Sequence, residues 1–468
     1  MTSIAEKKAN LDSEEFTKPI QGIDQLSAQE FEELGHFNSD DYIDLPPDGG
    51  FTAWMCCACI SAMNMVTWGA NSAFAVFLAF YLENDMFEGA SPTDYAMIGG
   101  LVACLSLALI PFSSIMLVKY GYRFTISIGI IMQFGAYMGA SFAQTLVQLY
   151  WTQGILMGMS SGIIFGANSI VLPGWFLKKR ALANGLSHFG LGVGGAALSL
   201  TVNALIQRTG DQRWALRVLG IISLVVCTTT MFLVKIRQSV KFEEKKLKST
   251  KQLLKEVLDY KVWFSMPLQF ATLWCFLGNT GYTICLFSLS NYARSLGFSH
   301  DQATNVTVAL SVAQAFGRPS MGYFSEKFGH VNFTWMANLY VCVLVFGWWL
   351  NIHNYASLVC FAIFLGFYVG ISSVNVVALV ADVSGIADFP SALSYTSMWM
   401  AVSSIIAEVI ALNLRDYSFE GVPNRTPYFY CQTFVGCLYF VGLFALIPYR
   451  AWKVNRMLFQ LKGSRKIG

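Results

Sequence analysis

The chain has 468 residues, of which 55% are hydrophobic and 13% charged, with a mean hydropathy of +0.50. That is far too apolar for a soluble globular protein of this length, so the chain reads as an integral membrane protein. A formal net charge of +3 is close to neutral for its size and gives no basis for a nucleic-acid partner.

Residues 1–50 are polar and rich in Asp and Glu, and contain no apolar run that would serve as a cleavable signal. They are expected to form a disordered cytosolic tail. Six hydrophobic stretches follow, at about 51–82, 95–118, 124–143, 147–173, 181–206 and 215–234, each near the roughly 20 residues that span a bilayer. Residues 235–261 break the pattern. They are highly charged, with leucines at helical spacing, as in an amphipathic linker at a membrane surface. Six more stretches occupy about 262–290, 303–325, 332–352, 355–381, 390–413 and 427–449, and a basic tail runs from 450 to 468. The expected organisation is two six-helix halves, 51–234 and 262–449, joined by the linker.

Lys119, Arg123, Lys178–Arg180, the linker, Lys327 and the C-terminal basic residues fall on one side of this topology. Short basic loops stay in the cytosol, so both termini and the linker are expected there. Asn424-Arg425-Thr426 is then an external glycosylation sequon. The plasma membrane is the first expectation, with a vacuolar or other organelle membrane as the alternative. The 11 cysteines are scattered through the apolar spans, which suits small core residues rather than disulfides or a metal site, and no cofactor is expected.

One span carries a charge that needs explaining. Arg318 lies inside the apolar eighth span, where a bare guanidinium is costly enough that it almost always faces a bundle interior or a cavity. Ser311, Gln314, Arg318, Gly322 and Ser325 share one helical face. Amide and aromatic stripes mark other spans: Asn64, Trp68 and Asn71 in the first; Gln153, Met157, Ser161 and Asn168 in the fourth; Gln269, Thr272 and Asn279 in the seventh; Tyr368, Ser372, Asn375 and Asp382 in the tenth. Polar faces in lipid turn inward, so Asn71, Asn279, Asn375 and Tyr368 join Gln314 and Arg318 as candidate substrate ligands, against the plainer reading of interhelical hydrogen bonds. His188 in the fifth span and Glu408 in the eleventh are the candidate proton carriers. SSIMLVKYGYR from Ser113 is echoed by GYFSEKFGH from Gly322, at equivalent places in the two halves.

Three further stretches carry a resemblance. PPDGGFTAW, with Asp48, Gly49 and Gly50, precedes the first span. WFLKKRALANGLSHFG, with Lys178, Arg180 and Gly185, joins the fourth to the fifth. Arg318 begins an Arg-Pro-Ser-x-Gly motif in the eighth. In order and spacing they resemble the monocarboxylate-transporter family of the major facilitator superfamily over nearly all of 46–450, and GANSAFAVF with the acidic tail looks most like its fungal branch. The resemblance implies a twelve-helix, all-α major facilitator fold working by alternating access on a small-molecule solute. Animal members place an aspartate one turn before the arginine and a lysine in the first span, where this chain has Gln314 and Asn71. Asp48, Gly49, Gly50, Lys178, Arg180 and Gly185 are read as gating and structural motif residues, their plain physical reading being orientation and close helix packing. The leading function is transport of a monocarboxylate or similar organic anion, with a proton as candidate co-substrate. The rivals are a larger, mostly neutral solute such as a vitamin of riboflavin type, and a non-transporting nutrient sensor. An enzyme is not expected, since no metal cluster, nucleophile–base pair or phosphate loop is present.

Overall fold

The computed structural model describes residues 46–84, 86–87, 90–237, 246, 248–385, 388–415 and 427–464, and all regular structure among them is helical. The expectations for residues 1–45, the middle of the linker and the Asn424 sequon fall outside the described residues. The spans are α1 (Phe51–Val66 and Trp68–Glu83), α2 (Pro92–Ala108 and Ile110–Tyr120), α3 (Tyr122–Ser141), α4 (Leu146–Leu149, a π turn Tyr150–Leu156, and Met157–Trp175), α5 (Arg180–Thr209) and α6 (Gln212–Leu233). A linker helix, Thr250–Val257, separates them from α7 (Met266–Ser295), α8 (His300–Phe328), α9 (His330–Gly347), α10 (Tyr355–Tyr368 and Ile371–Ser384), α11 (Phe389–Asn413) and α12 (Phe429–Ser464).

Among the described residues ten helices are long and apolar enough to cross a bilayer, and eleven when the two parts of α2, bent by 45°, count as one. The twelfth is α8. Its 29 residues span about 43 Å at 1.5 Å each, but Gln314, Arg318 and the charged residues Asp301, Glu326 and Lys327 dilute its apolarity. The fold is therefore all-α and multi-pass, with twelve long helical segments. Its helices through Val454 belong to one unit, which begins at Pro46.

The interruptions have local causes. At the break in α1, Thr67 turns its hydroxyl back to the Met63 carbonyl at 2.9 Å, and Gln133 of α3 donates to the Val66 carbonyl at 2.9 Å. Backbone polar groups loosened inside a membrane are thus given new partners. Gly121 and Gly329 end α2 and α8 with φ of 85° and 84°, a conformation that side-chain-bearing residues avoid. The two echoed sequence segments accordingly make the same tight turn. All 11 cysteines are free thiols; Cys360 and Cys437 are exposed, Cys104 is half-buried and the other eight are buried.

Packing between α5 and α8 runs along their full length because glycine lets their backbones touch. A Cβ on Gly185 would lie 2.4 Å from the Arg318 carbonyl oxygen, one on Gly322 2.4 Å from that of Ala181, and one on Gly192 2.4 Å from the Ala315 nitrogen. A second pairing joins α2 to α11, where Gly100 faces the Ser404 carbonyl. Leu107 and Ile110 of α2 share one core with Val376, Val377 and Val380 of α10 and Phe389 and Leu393 of α11. Hydrogen bonds tie α5 to α10 and α8 nearby: Asn184 Nδ2 donates to the Ser373 and Val374 carbonyls at 3.3 and 2.8 Å, and the Leu182 amide donates to Glu326 Oε1 at 2.8 Å. The linker helix seals the same face, burying Leu253 and Val257 against Ile115 and Val118 of α2. Lys119 of α2 also donates to the Lys246 and Lys248 carbonyls. This linker face is closed.

Valine at Gly185 or Gly322 forces the α5 and α8 backbones apart. Each substitution is expected to cost about 1–3 kcal/mol and to lower the thermal unfolding midpoint of the detergent-solubilised protein. Gly210→Asn, at φ 68° with open space around it, should leave the midpoint near wild type. Equal midpoints for Gly185→Val and wild type would show that α5 and α8 do not touch in this way.

Candidate substrate-binding site

Arg318 is 1% exposed. Its Nη2 donates to Gln314 Oε1 at 2.8 Å, one turn earlier on α8, and to the Tyr282 hydroxyl of α7 at 3.1 Å. The Tyr282 hydroxyl in turn donates to Gln314 Oε1 at 3.3 Å, and the tyrosine ring lies 5.8 Å from the guanidinium carbon. Two neutral groups thus steer the cation without neutralising it. Nε and Nη1 are buried with no hydrogen-bond partner, and no carboxylate among the described residues lies within 4.0 Å. The fork also sits beside the break in α10, where a Cβ on Gly370 would come within 3.4 Å of Nη2. A buried cation with unpaired donors on two edges attracts an anion, and either edge becomes a bidentate fork once an Nη2 partner gives way.

The other candidates are distributed as follows. Asn279 Nδ2 bonds to Ser403 and Ser404 of α11 at 2.7 and 2.9 Å, and Asn375 Nδ2 to Thr334 of α9 at 2.7 Å; both tie helices together. Tyr368 packs edge-on against Phe333 and Tyr340. Asn71 is half-buried in α1, one turn beyond Trp68. His188 is buried, its Nδ1 2.8 Å from the Asn184 carbonyl, its ring edge-on to Phe165, and the Arg318 charge within electrostatic reach. Glu408 lies in α11, and its side chain is outside the described residues. Tyr282 is the Arg318 partner that sequence reasoning missed. The stripe Gln269, Thr272, Asn279 continues to it at the next helical step, which marks its helix face but not its partner.

The motif residues build a second structure on the linker face. Asp48, at φ 54°, takes the Leu177 and Lys178 amides on one carboxylate oxygen at 2.6 and 2.7 Å, with Lys179 at 3.3 Å, and its own amide donates to the Trp175 carbonyl. The Trp54 ring packs on Phe176 with centroids 4.8 Å apart. Two sequence motifs about 130 residues apart are therefore one clasp: the acid before α1 grips the loop between α4 and α5. Arg180 follows the clasp, its Nε bonded to the Phe176 carbonyl at 3.0 Å.

A polar, charge-bearing centre enclosed by twelve long helices, with interrupted helices beside it, defines a membrane transporter that works on a small-molecule solute. The sequence model of the Major Facilitator Superfamily matches residues 55–412, and the chain belongs to that family as a secondary transporter. It is 34% identical over 421 residues to the uncharacterized transporter ESBP6 of Saccharomyces cerevisiae, covering 90% of this chain and 62% of that protein. It is 32% identical over 397 residues to the probable transporter MCH2 of the same yeast, covering 84% and 81%. Among solved structures, the human organic anion transporter MFSD10 superposes with a TM-score of 0.63 at 12% identity, covering 86% of this chain and all of that one. The proton:xylose symporter XylE follows with 0.59 at 14% identity, covering 84% and 94%. These two likenesses confirm the fold.

Removing the Asp48 carboxylate leaves three loop amides without their acceptor, and a hydrogen bond to a charged group contributes roughly 1.5–3 kcal/mol. Asp48→Ala should therefore speed trypsin cleavage after Lys178, Lys179 and Arg180 about tenfold in the purified protein. Asp48→Asn, which keeps an acceptor oxygen and tolerates a positive φ, should show a smaller increase. An unchanged cleavage rate for Asp48→Ala would mean the clasp does not hold the loop.

Proposed function

We propose that the protein moves a small organic anion, with a monocarboxylate as the reference substrate, by alternating access around Arg318. The observation behind this reading is the buried guanidinium whose Nε and Nη1 have no partner. Leaving such donors empty in a low-dielectric interior is costly, and a carboxylate can take one edge of the guanidinium, Nε with Nη2 or Nη1 with Nη2, by displacing one of the neutral Nη2 partners. The three motifs that resemble the monocarboxylate-transporter family support the same substrate class. The two six-helix halves, 51–234 and 262–449, are the bodies proposed to rock. The linker face is proposed to be cytosolic because Lys119, Lys178–Arg180 and Lys327 lie on it, and the plasma membrane is the proposed location.

Proton coupling at this site is a separate matter. Gln314 occupies the position one turn from Arg318, and an amide neither titrates nor releases the arginine on protonation. Any coupling proton is proposed to travel by another group, Glu408 or His188. One observation favours a second reading. Trp68 and Phe165 form an edge-on pair 5.4 Å apart, and Phe165 is edge-on to His188, an aromatic grouping that suits a larger planar solute such as a vitamin.

The test is uptake by proteoliposomes of labelled carboxylates and vitamins, with and without a pH gradient. Arg318→Lys keeps the charge but not the planar fork, so carboxylate uptake should fall; for Arg318→Gln it should nearly vanish with protein levels unchanged. Wild-type uptake should depend only shallowly on pH. In Gln314→Asp the new carboxylate pairs with Arg318 until it is protonated, so uptake should rise as pH falls through its titration. Normal carboxylate uptake by Arg318→Gln would overturn the anion reading, and vitamin uptake without carboxylate uptake would establish the second.

A further inference from the structure

We propose that His188 selects the solute: its Nε2 accepts a hydrogen bond from a hydroxyl on the carbon next to the carboxylate, so the anion bound at Arg318 is a 2-hydroxy acid. The inference rests on the anion reading above and narrows it.

Helix geometry places the side chain. Gly185 and Gly192 turn α5 toward α8, where they meet the Arg318 carbonyl and the Ala315 nitrogen. Asn184 points at α10, its Nδ2 bonded to the Ser373 and Val374 carbonyls. At about 100° per residue, His188 falls between these two directions, so its side chain enters the wedge between α8 and α10. Arg318 enters the same wedge from α8, with Nη2 beside Gly370 at the break in α10. Phe165 of α4 walls the imidazole edge-on, 5.9 Å between ring centroids, and His188 is buried. In this conformation the wedge is closed, and the Asn184 bonds must part for a solute to enter from the linker face.

The ring's hydrogen is fixed by its neighbours. Nδ1 lies 2.8 Å from the Asn184 carbonyl oxygen, which can only accept, so Nδ1 carries the hydrogen. Ser187 Oγ, 3.2 Å from Nδ1, spends its own hydrogen on that same carbonyl at 2.8 Å. A neutral imidazole held in this way presents Nε2 as a bare acceptor. Because Nδ1 is drawn back onto the backbone of α5, Nε2 is the end of the ring directed away from that helix. It has no hydrogen-bond partner among the described residues.

The wedge therefore sets a cation with empty donors against a lone pair. The Arg318 charge acts on the imidazole, yet no hydrogen bond joins the two side chains. A ligand between them must offer acceptors to the arginine and a donor to the histidine. A 2-hydroxy carboxylate carries both on adjacent carbons. A 2-oxo acid turns an oxygen lone pair on Nε2, and an unsubstituted acid offers it nothing, so either leaves the buried acceptor unpaired.

The experiment measures uptake by the full-length protein in proteoliposomes at pH 7.5, where short carboxylic acids are ionised and an ordinary imidazole is mostly neutral. The probes are labelled lactate, as each enantiomer, pyruvate and propionate, which place a donor, an acceptor and neither on the carbon next to the carboxylate. Wild type should half-saturate with the better lactate enantiomer about tenfold below propionate, the gain from one hydrogen bond to a buried group, and pyruvate should be no better than propionate. His188→Leu should erase the lactate-to-propionate ratio, and His188→Gln, whose Oε1 also accepts, should recover part of it. A structural or proton-carrying role for His188 moves all the values together and leaves their ratios intact, and that result overturns the inference. Equal wild-type values for the three acids, or pyruvate matching lactate, overturn it without any variant and leave the anion reading standing. These wild-type ratios also decide the matter if His188→Leu fails to fold. Uptake of none of the acids overturns the anion reading itself.

Discussion

A guanidinium buried to 1% exposure inside a bundle of bilayer-spanning helices is shielded from bulk water and, among the described residues, has no carboxylate within ion-pair distance. Much of the surrounding architecture is a response to that charge. Gln314 and Tyr282 supply oxygens that orient the fork while leaving its charge intact. The interruption in α10 brings backbone rather than a side chain to its edge. Tyr439 of α12 then donates to the carbonyl of Val369 at that break, so the loosened turn is itself held. The two bonds to the guanidinium contribute roughly 1.5–3 kcal/mol each and the neutral Tyr439 bond about 1 kcal/mol, and the large term is the one they leave open.

The same helix also belongs to the contact proposed to move. Where α8 lies on α5, glycine places main chain against main chain, with few side chains interlocked. A smooth interface of this kind has dispersion attraction but little to lock its register, so it can shift without repacking rotamers. The polar bonds across the halves on the linker face are few, chiefly Asn184 to α10 and Glu326 to the Leu182 amide. Such bonds exchange with water at modest cost when the face opens. A closed state held in this way is stable enough to exist and weak enough to leave.

Much of this was legible in the sequence. Span lengths and the apolar pattern specify the helices, a lone arginine in hydrocarbon announces a site, and glycine clusters announce close packing. Gln314 was found because it is one turn from Arg318. Tyr282 was passed over because its own helix is 30 residues of mixed polarity and nothing local says that its hydroxyl, rather than Asn279's amide, meets the arginine. Asn279 and Asn375 show the converse, since an amide that crosses to a neighbouring helix and one that faces a cavity have the same sequence signature. Asp48 and the Trp175–Lys179 loop were each recognised, but their meeting was not. It depends on how α1 and α4 end beside each other, which only tertiary structure decides.

The cysteines have a practical consequence. Two thiols, Cys360 of α10 and Cys437 of α12, are exposed within apolar spans, Cys104 is half-buried, and the other eight are closed off within the bundle. A charged, membrane-impermeant maleimide therefore has little to react with on the folded chain as it stands. A single cysteine introduced into any one loop would be modified above that low background only when its loop faces the reagent. The natural sequence is thus already a usable background for assigning each loop to a side of the membrane, without first removing its own thiols.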